Sequence, residues 1–185
     1  MQVLSKICVA LAAVALSACS TTPKPVPDGY TGSTATVKDS MRVSPGDTCG
    51  DFFFLNEYAG KSTDNALQAS GRDNAGSGLT IRVVHDFSRQ VPARAAAFFI
   101  VGRTHCAAPI QEMTGTVRLV GGNVEFTPQE GGIYVIKGEL TPEHSAVWLE
   151  DEKTGAQIGN KLLINGPAKA GFFGVTGKVL EIPPP

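Results

Sequence analysis

Apolar and β-branched residues recur along this chain in short runs with a period of two, and turn-forming residues separate the runs. The pattern predicts strands over Thr34–Lys38, Asp51–Tyr58, Leu79–Phe87, Ala95–Thr104, Thr116–Val120, Asn123–Phe126, Ile133–Leu140, Ala146–Asp151 and Gln157–Ile164. Alternation is clearest at Ile81, Val83, His85 and Phe87, which share one face, against Thr80, Arg82, Val84 and Asp86 on the other. Such alternation belongs to antiparallel strands with one face in water. Gly121-Gly122 suits a two-residue hairpin turn, and Glu152-Lys153-Thr154-Gly155 turns the chain after Asp151. One short helix is expected at Thr63–Ala69, with Ser62 as its N-cap. Together these elements predict an all-β fold, a single antiparallel β-sandwich over residues 32–177 followed by a tail at 178–185. Tyr134, Ile136 and Leu140 should share a core with Val147 and Leu149, while Trp148 faces the other way.

A different pattern occupies the first residues. Lys6 precedes the apolar run Ile7–Leu16, and Leu16-Ser17-Ala18-Cys19 closes it with small side chains before a cysteine. This succession resembles the lipobox of bacterial lipoproteins. The resemblance implies that residues 1–18 are a signal peptide and that Cys19 becomes the lipidated N-terminus, carrying a diacylglyceryl thioether and an N-acyl group. Each buried CH2 contributes about 0.8 kcal/mol, so several acyl chains anchor stably where one does not. The resemblance also implies sorting: the residue after the cysteine is Ser20 and not Asp, which favours the outer membrane over the inner. Residues 19–31 form the lipidated start and a disordered Pro-rich tether, STTPKPVPDGY, long enough when extended to hold the domain roughly 30 Å from the headgroups.

Charge narrows the partners. The full chain carries a formal −1, and loss of Lys6 with the leader makes it −2 (−1 minus 1). A nucleic-acid-binding chain would show a basic excess, so no nucleic acid is expected. Arg72, Arg82, Arg89, Arg94 and Arg103 nevertheless cluster, while Glu125, Glu130, Glu139, Glu143, Glu150, Asp151 and Glu152 crowd a later stretch. The arginines are either solvated or internally paired positions, or a candidate site for acidic groups of an envelope protein, peptidoglycan or an anionic lipid.

Cysteine usage points to an oxidising compartment. Cys8 leaves with the leader and Cys19 takes the lipid, so Cys49 and Cys106 remain to pair, closing a loop whose chain-entropy effect is on the order of 4 kcal/mol. The competing reading makes Cys106 a reactive thiol beside His105.

A second resemblance follows from Val91-Pro92-Ala93 with Phe98, Ile100 and Gly102, then Phe126-Thr127-Pro128, Gly131-Gly132, Tyr134-Val135, Val147-Trp148-Leu149-Glu150-Asp151 and Thr154-Gly155. The succession is similar to that of a broad group of bacterial lipoproteins with prealbumin-like or carboxypeptidase-regulatory-like sandwiches. It departs from them at Ala95-Ala96-Ala97, where such proteins often place a Gly-His or Gly-Lys turn. The group implies an envelope β-domain and brings no catalytic residue with it.

Catalytic signatures are sparse. His85, His105 and His144 show no HExxH or paired CxxC spacing, so no metal or other cofactor is expected. His85 is expected in or near the core and His144 exposed in the Thr141-Pro142 turn. No GxSxG elbow occurs, and Ser88 and Ser145 lack an evident partner histidine. GRDNAGSG at 71–78 has the glycines of a phosphate cradle but no Walker lysine, and reads as a surface loop. Two classes remain: a non-enzymatic envelope lipoprotein with a binding or structural β-domain, and a hydrolase or metal-dependent enzyme built on His105 or His144 with a nearby carboxylate.

Overall fold

A computed structural model describes residues 24–43, 48–74, 83–107, 117–166, 170–171, 174–175 and 178–185. In chain order the elements are β1 (Thr34–Lys38), β2 (Ser40–Val43), β3 (Cys49–Tyr58), β4 (Lys61–Ser62), α1 (Ala66–Asp73), β5 (Ser88–Pro92), β6 (Ala96–Cys106), β7 (Leu119–Phe126), β8 (Ile133–Leu140), β9 (His144–Asp151), β10 (Gln157–Asn165), β11 (Ala170–Gly171), β12 (Gly174–Val175) and β13 (Leu180–Ile182). One sheet runs β13-β10-β9-β8-β1-β5; the other runs β2-β3-β6-β7, with β4 added beside β3. The short pair β11–β12 stands apart. The fold is an all-β sandwich with one short helix.

Between the sheets lies a core that includes Val37, Leu55, Phe98, Ile100, Ile136, Val147, Leu149 and Leu162. Tyr134, Ile136 and Leu140 enter it from β8, with Val147 and Leu149 from β9, while Trp148 stays half-exposed under Lys161. Four aromatic rings, Tyr58, Phe98, Phe126 and Tyr134, follow one another at centroid spacings of 5.2, 4.4 and 5.1 Å and close one end of this core. The run Phe52-Phe53-Phe54-Leu55 is buried on both faces of β3. Phe53 and Leu55 point between the sheets; Phe52 and Phe54 join Ala66 and Val101 in a smaller apolar cluster, against which Leu67 of α1 and Phe87 pack. A continuous apolar run with no alternation marks such a doubly covered strand.

Several expectations are corrected. Val83–Phe87 is not a strand: His85 and Asp86 form a turn, with Asp86 at φ 64°, and His85 is exposed and not in the core. Residues 79–82 of that expected strand lie outside the described residues. The strand in this region is β5, which pairs with β1 at the edge of its sheet. Its polar composition and terminal Pro92 obscured it, and an edge is where proline is tolerated.

Gly121 and Gly122 are not a turn but lie inside β7, opposite Val101 and Ile100. A Cβ on Gly121 would come within 3.0 Å of the Ile100 carbonyl oxygen, and one on Gly122 within 3.2 Å of the Leu162 side chain of β10. The glycines thus let β7 lie close to its neighbours where the two sheets meet.

The helix begins later than expected, after Asn65, whose side chain accepts the Gln68 amide at 3.0 Å. Ser62 lies in β4, and the Thr63 hydroxyl donates to the Leu55 carbonyl, so the chain is still tied to β3 where a cap was expected. β1 runs parallel to β8, an exception to the antiparallel scheme. β13 within residues 178–185 pairs with β10, so this stretch extends the sheet and is more than a tail.

Cys49 and Cys106 are opposed on β3 and β6 and form a disulfide, S–S 2.08 Å. Their Cα atoms are 4.0 Å apart, closer than the roughly 4.4 Å usual for a disulfide and than the roughly 4.5 Å of facing antiparallel residues.

Candidate functional site

The structure does not gather the described arginines of the sequence cluster on one surface. Arg89 reaches inward: its Nη2 donates to Asp39 Oδ2, and its side chain is 7 % exposed. Asp39 stands where the chain leaves β1 for β2 and passes between the sheets. Its Oδ1 accepts the Leu55 amide at 3.1 Å, and its Oδ2 also accepts the Ala66 amide at 2.8 Å. One carboxylate therefore ties β3, the first turn of α1 and β5 together. Burial pushes the Asp39 carboxyl above its ordinary value, ahead of the opposing pull of Arg89 and the two amides. Arg89 Nε and Nη1 have no hydrogen-bond partner among the described residues, and its guanidinium lies 5.0 Å from the Phe87 ring centroid. This pair is a buried brace.

Arg72 on α1 pairs with Asp64 at 3.3 Å and is exposed. Arg103 is half-buried on β6 opposite Phe52. Arg94 is exposed in the turn between β5 and β6, near where Phe98 pairs with Tyr58. Phe52 and Tyr58 are six residues apart on β3, so Arg94 and Arg103 sit toward opposite ends of the sheet, roughly 20 Å apart. Residues 71–73, expected to open a glycine-rich surface loop, are instead the last residues of α1, and Arg82 and residues 75–78 of that expected loop lie outside the described residues. The acidic stretch is largely engaged: Glu152 holds Lys38 at 2.8 Å, Glu150 accepts the Trp148 indole N–H at 2.6 Å, and Asp151 accepts from Thr154.

The histidines are separated too. His105 is half-buried on β6, its ring 6.4 Å from that of Phe52. His144, half-buried rather than exposed, places Nε2 3.1 Å from Glu139 Oε2 and Nδ1 3.4 Å from the Thr141 hydroxyl. Chemically this row could polarise a hydroxyl. The Thr141 oxygen, however, donates to the His144 carbonyl and accepts the Glu143 and His144 amides, as a turn-forming threonine does. The Ser145 hydroxyl is fully buried, with no partner among the described residues. Among the described residues no group of three or more His, Cys, Asp or Glu is placed to hold a metal ion, and no helix is long and apolar enough to cross a membrane.

What the fold does assemble is a cleft of about 370 Å³ at the Tyr58 end of the sandwich, lined by Lys24, Pro25, Pro27, Tyr58, Lys61 and Arg94 among others. Ala59 (φ 50°) and Gly60 (φ 73°) make the tight turn that sets Lys61 opposite Tyr58 across the β3–β4 hairpin. The Ala59 amide donates to the Ala97 carbonyl and the Ala93 amide to the Ser33 carbonyl, which holds the Arg94 turn beside that hairpin. From the N-terminal side, Pro25 and Val26 are half-buried, and the Tyr30 amide closes a turn onto the Pro27 carbonyl at 3.1 Å. The walls are apolar and the rim carries three exposed cations.

Of these residues, only Arg94 belongs to the cationic cluster visible in sequence, and Lys24 lies apart from it in the Pro-rich segment. Ala59-Gly60 was a legible turn signal that would have placed Lys61 beside Tyr58. No protein-family model matches this chain, nor does any curated protein or solved structure match it significantly.

Proposed function

We propose that this chain is a lipid-anchored protein of the bacterial envelope, held through Cys19, and that its β-sandwich is a binding or structural module and not an enzyme. The observation that carries the reading is the Lys-tipped apolar leader ending in Leu16-Ser17-Ala18-Cys19, five residues before Lys24, where the described fold begins. The Cys49–Cys106 bridge supports it, because disulfides persist in oxidising compartments and not in the cytosol. Ser20 after the cysteine favours the outer membrane. On this reading the partners are the membrane itself, with an envelope protein, peptidoglycan or an anionic lipid as the domain's ligand.

Metabolic labelling with an acyl probe tests the anchor. The wild type should be labelled and Cys19→Ser should not; equal labelling of both would overturn the reading. The enzyme alternative has the His144–Glu139 contact in its favour, against the commitment of the Thr141 hydroxyl to its own turn. It requires a turnover by the purified protein that His144→Ala abolishes.

A further inference from the structure

We propose that the cleft rimmed by Lys24, Lys61 and Arg94 takes the phosphate of an anionic phospholipid headgroup, so that this end of the sandwich rests on the membrane to which Cys19 is attached. The proposal deepens the lipoprotein reading and rests on it. Three observations lead to it.

The first is charge. Lys38, Arg42, Arg72 and Arg89 are each answered by a carboxylate, whereas Lys61 and Arg94 have no ion-pair partner among the described residues. Among the described residues, Lys24 faces only Asp28, at 3.8 Å in an exposed pair that solvent and salt weaken. Among the described residues, no carboxylate lines the cleft. Arginine offers a forked set of donors to a phosphate and lysine a mobile point charge, so the rim suits a monoanionic phosphodiester.

The second is the apolar lining. Pro25, Pro27 and Ala59, with an edge of the otherwise buried Tyr58 ring behind them, give a headgroup's glycerol and first methylenes a surface to cover. The Tyr58 hydroxyl donates to the Pro92 carbonyl at 3.3 Å and so does not compete for the phosphate. A hydrophilic free anion would gain nothing from these walls.

The third is reach. The Pro-rich segment, expected to stand free as far as Tyr30, touches the sandwich at Pro25 and Val26, which are half-buried, and lends Lys24, Pro25 and Pro27 to the cleft wall. The span from Cys19 to Lys24 is therefore at most roughly 18 Å even when fully extended. A cleft whose own wall includes Lys24 and Pro25 cannot leave the neighbourhood of the headgroups. Anionic lipid there attracts each nearby cation about fivefold, and three cations together on the order of a hundredfold.

The test uses the intact acylated protein in vesicles of phosphatidylcholine alone or with added phosphatidylglycerol. An amine-reactive reagent labels the lysines, and mass spectrometry reads each site. In phosphatidylglycerol vesicles the labelling of Lys24 and Lys61 should fall about fivefold or more, and return at about 1 M salt, where the screening length is near 3 Å. Lys137 and Lys161, from the middle of the other sheet, should be labelled equally in both vesicle types. Arg94→Gln, an exposed turn substitution, should weaken the protection of Lys24 and Lys61 while leaving the Cys49–Cys106 bridge intact.

Equal labelling in the two vesicle types, or protection that neutral vesicles also give, would overturn the headgroup proposal. A chain found without acyl groups would fail the lipoprotein reading instead, and the mass of the protein before reconstitution tells the two failures apart.

Discussion

Asp39 shows how one residue holds distant elements together, and what it costs to do so. The carboxylate is fully enclosed and gathers Arg89 with the amides of Leu55 and Ala66. Taking both charges of a pair out of water costs several kcal/mol per ion, and attraction returns that only with good geometry. With two guanidinium nitrogens of Arg89 unpartnered among the described residues, the return is incomplete, which agrees with the raised Asp39 pKa. The folded chain then holds the Asp39 proton more tightly than the unfolded chain. Its contribution to stability is complete below 3.8 and is lost as pH rises through the raised value. Thermal unfolding of the wild type and Asp39→Asn across about pH 3 to 7 should show the wild type losing ground to the variant as pH rises. A wild type that gains on the variant over that range would contradict the sign. Neither Asp39 nor Arg89 could be assigned this role from sequence, because their pairing bridges 50 positions. Arg89 read instead as one member of a surface cluster.

At the scale of elements, legibility followed local patterning. β1 and β8 have the bounds the pattern predicts, and β3, β6, β9 and β10 match it to within a few residues, because their apolar positions alternate or run together between turn residues. Alternation also misled at Val83–Phe87, where His85 and Asp86 turn the chain, and two other failures share a cause: backbone signals whose meaning depends on a partner strand. Gly121-Gly122 looks like a turn in isolation and is a close-approach site once β10 is known to lie against it. Ser88–Pro92 looks like a loop and is an edge strand because β1 supplies its hydrogen bonds.

Gly138 on β8 is a third such glycine, with no sequence signal of its own. A Cβ there would fall against the Phe53 ring from the opposite sheet and within 2.6 Å of the Ala146 carbonyl oxygen. Both neighbours are fixed, one by core packing and one by the β8–β9 ladder. Gly138→Ala should therefore lower unfolding free energy by about 1–3 kcal/mol or more, measured by denaturant titration. An unchanged midpoint would mean that the sheets are not packed as closely as described.

At the scale of the molecule, composition and periodicity were enough for the all-β sandwich, and cysteine usage for the bridge that fastens β3 to β6. The site was much less legible. Its three cations lie at positions 24, 61 and 94, and only the β3–β4 turn, the β5–β6 turn and the folded-back Pro-rich segment bring them to one rim. The described members of the arginine cluster that sequence proximity suggests disperse into a buried brace, a helix pair, a sheet face and a turn. Nearness in the chain is a poor guide where strands carry neighbours to opposite ends of a sheet.

On the proposed envelope reading, the sandwich would sit on a short leash with its cationic end toward the lipid. That placement depends on Cys19. Intact-mass analysis of the protein purified from bacterial envelopes tests it most directly. The mature chain should begin at Cys19, lack residues 1–18, and carry the added mass of a diacylglyceryl group and an N-acyl chain on that residue. A mature chain with an unmodified N-terminus, or one that still retains the leader, would contradict it.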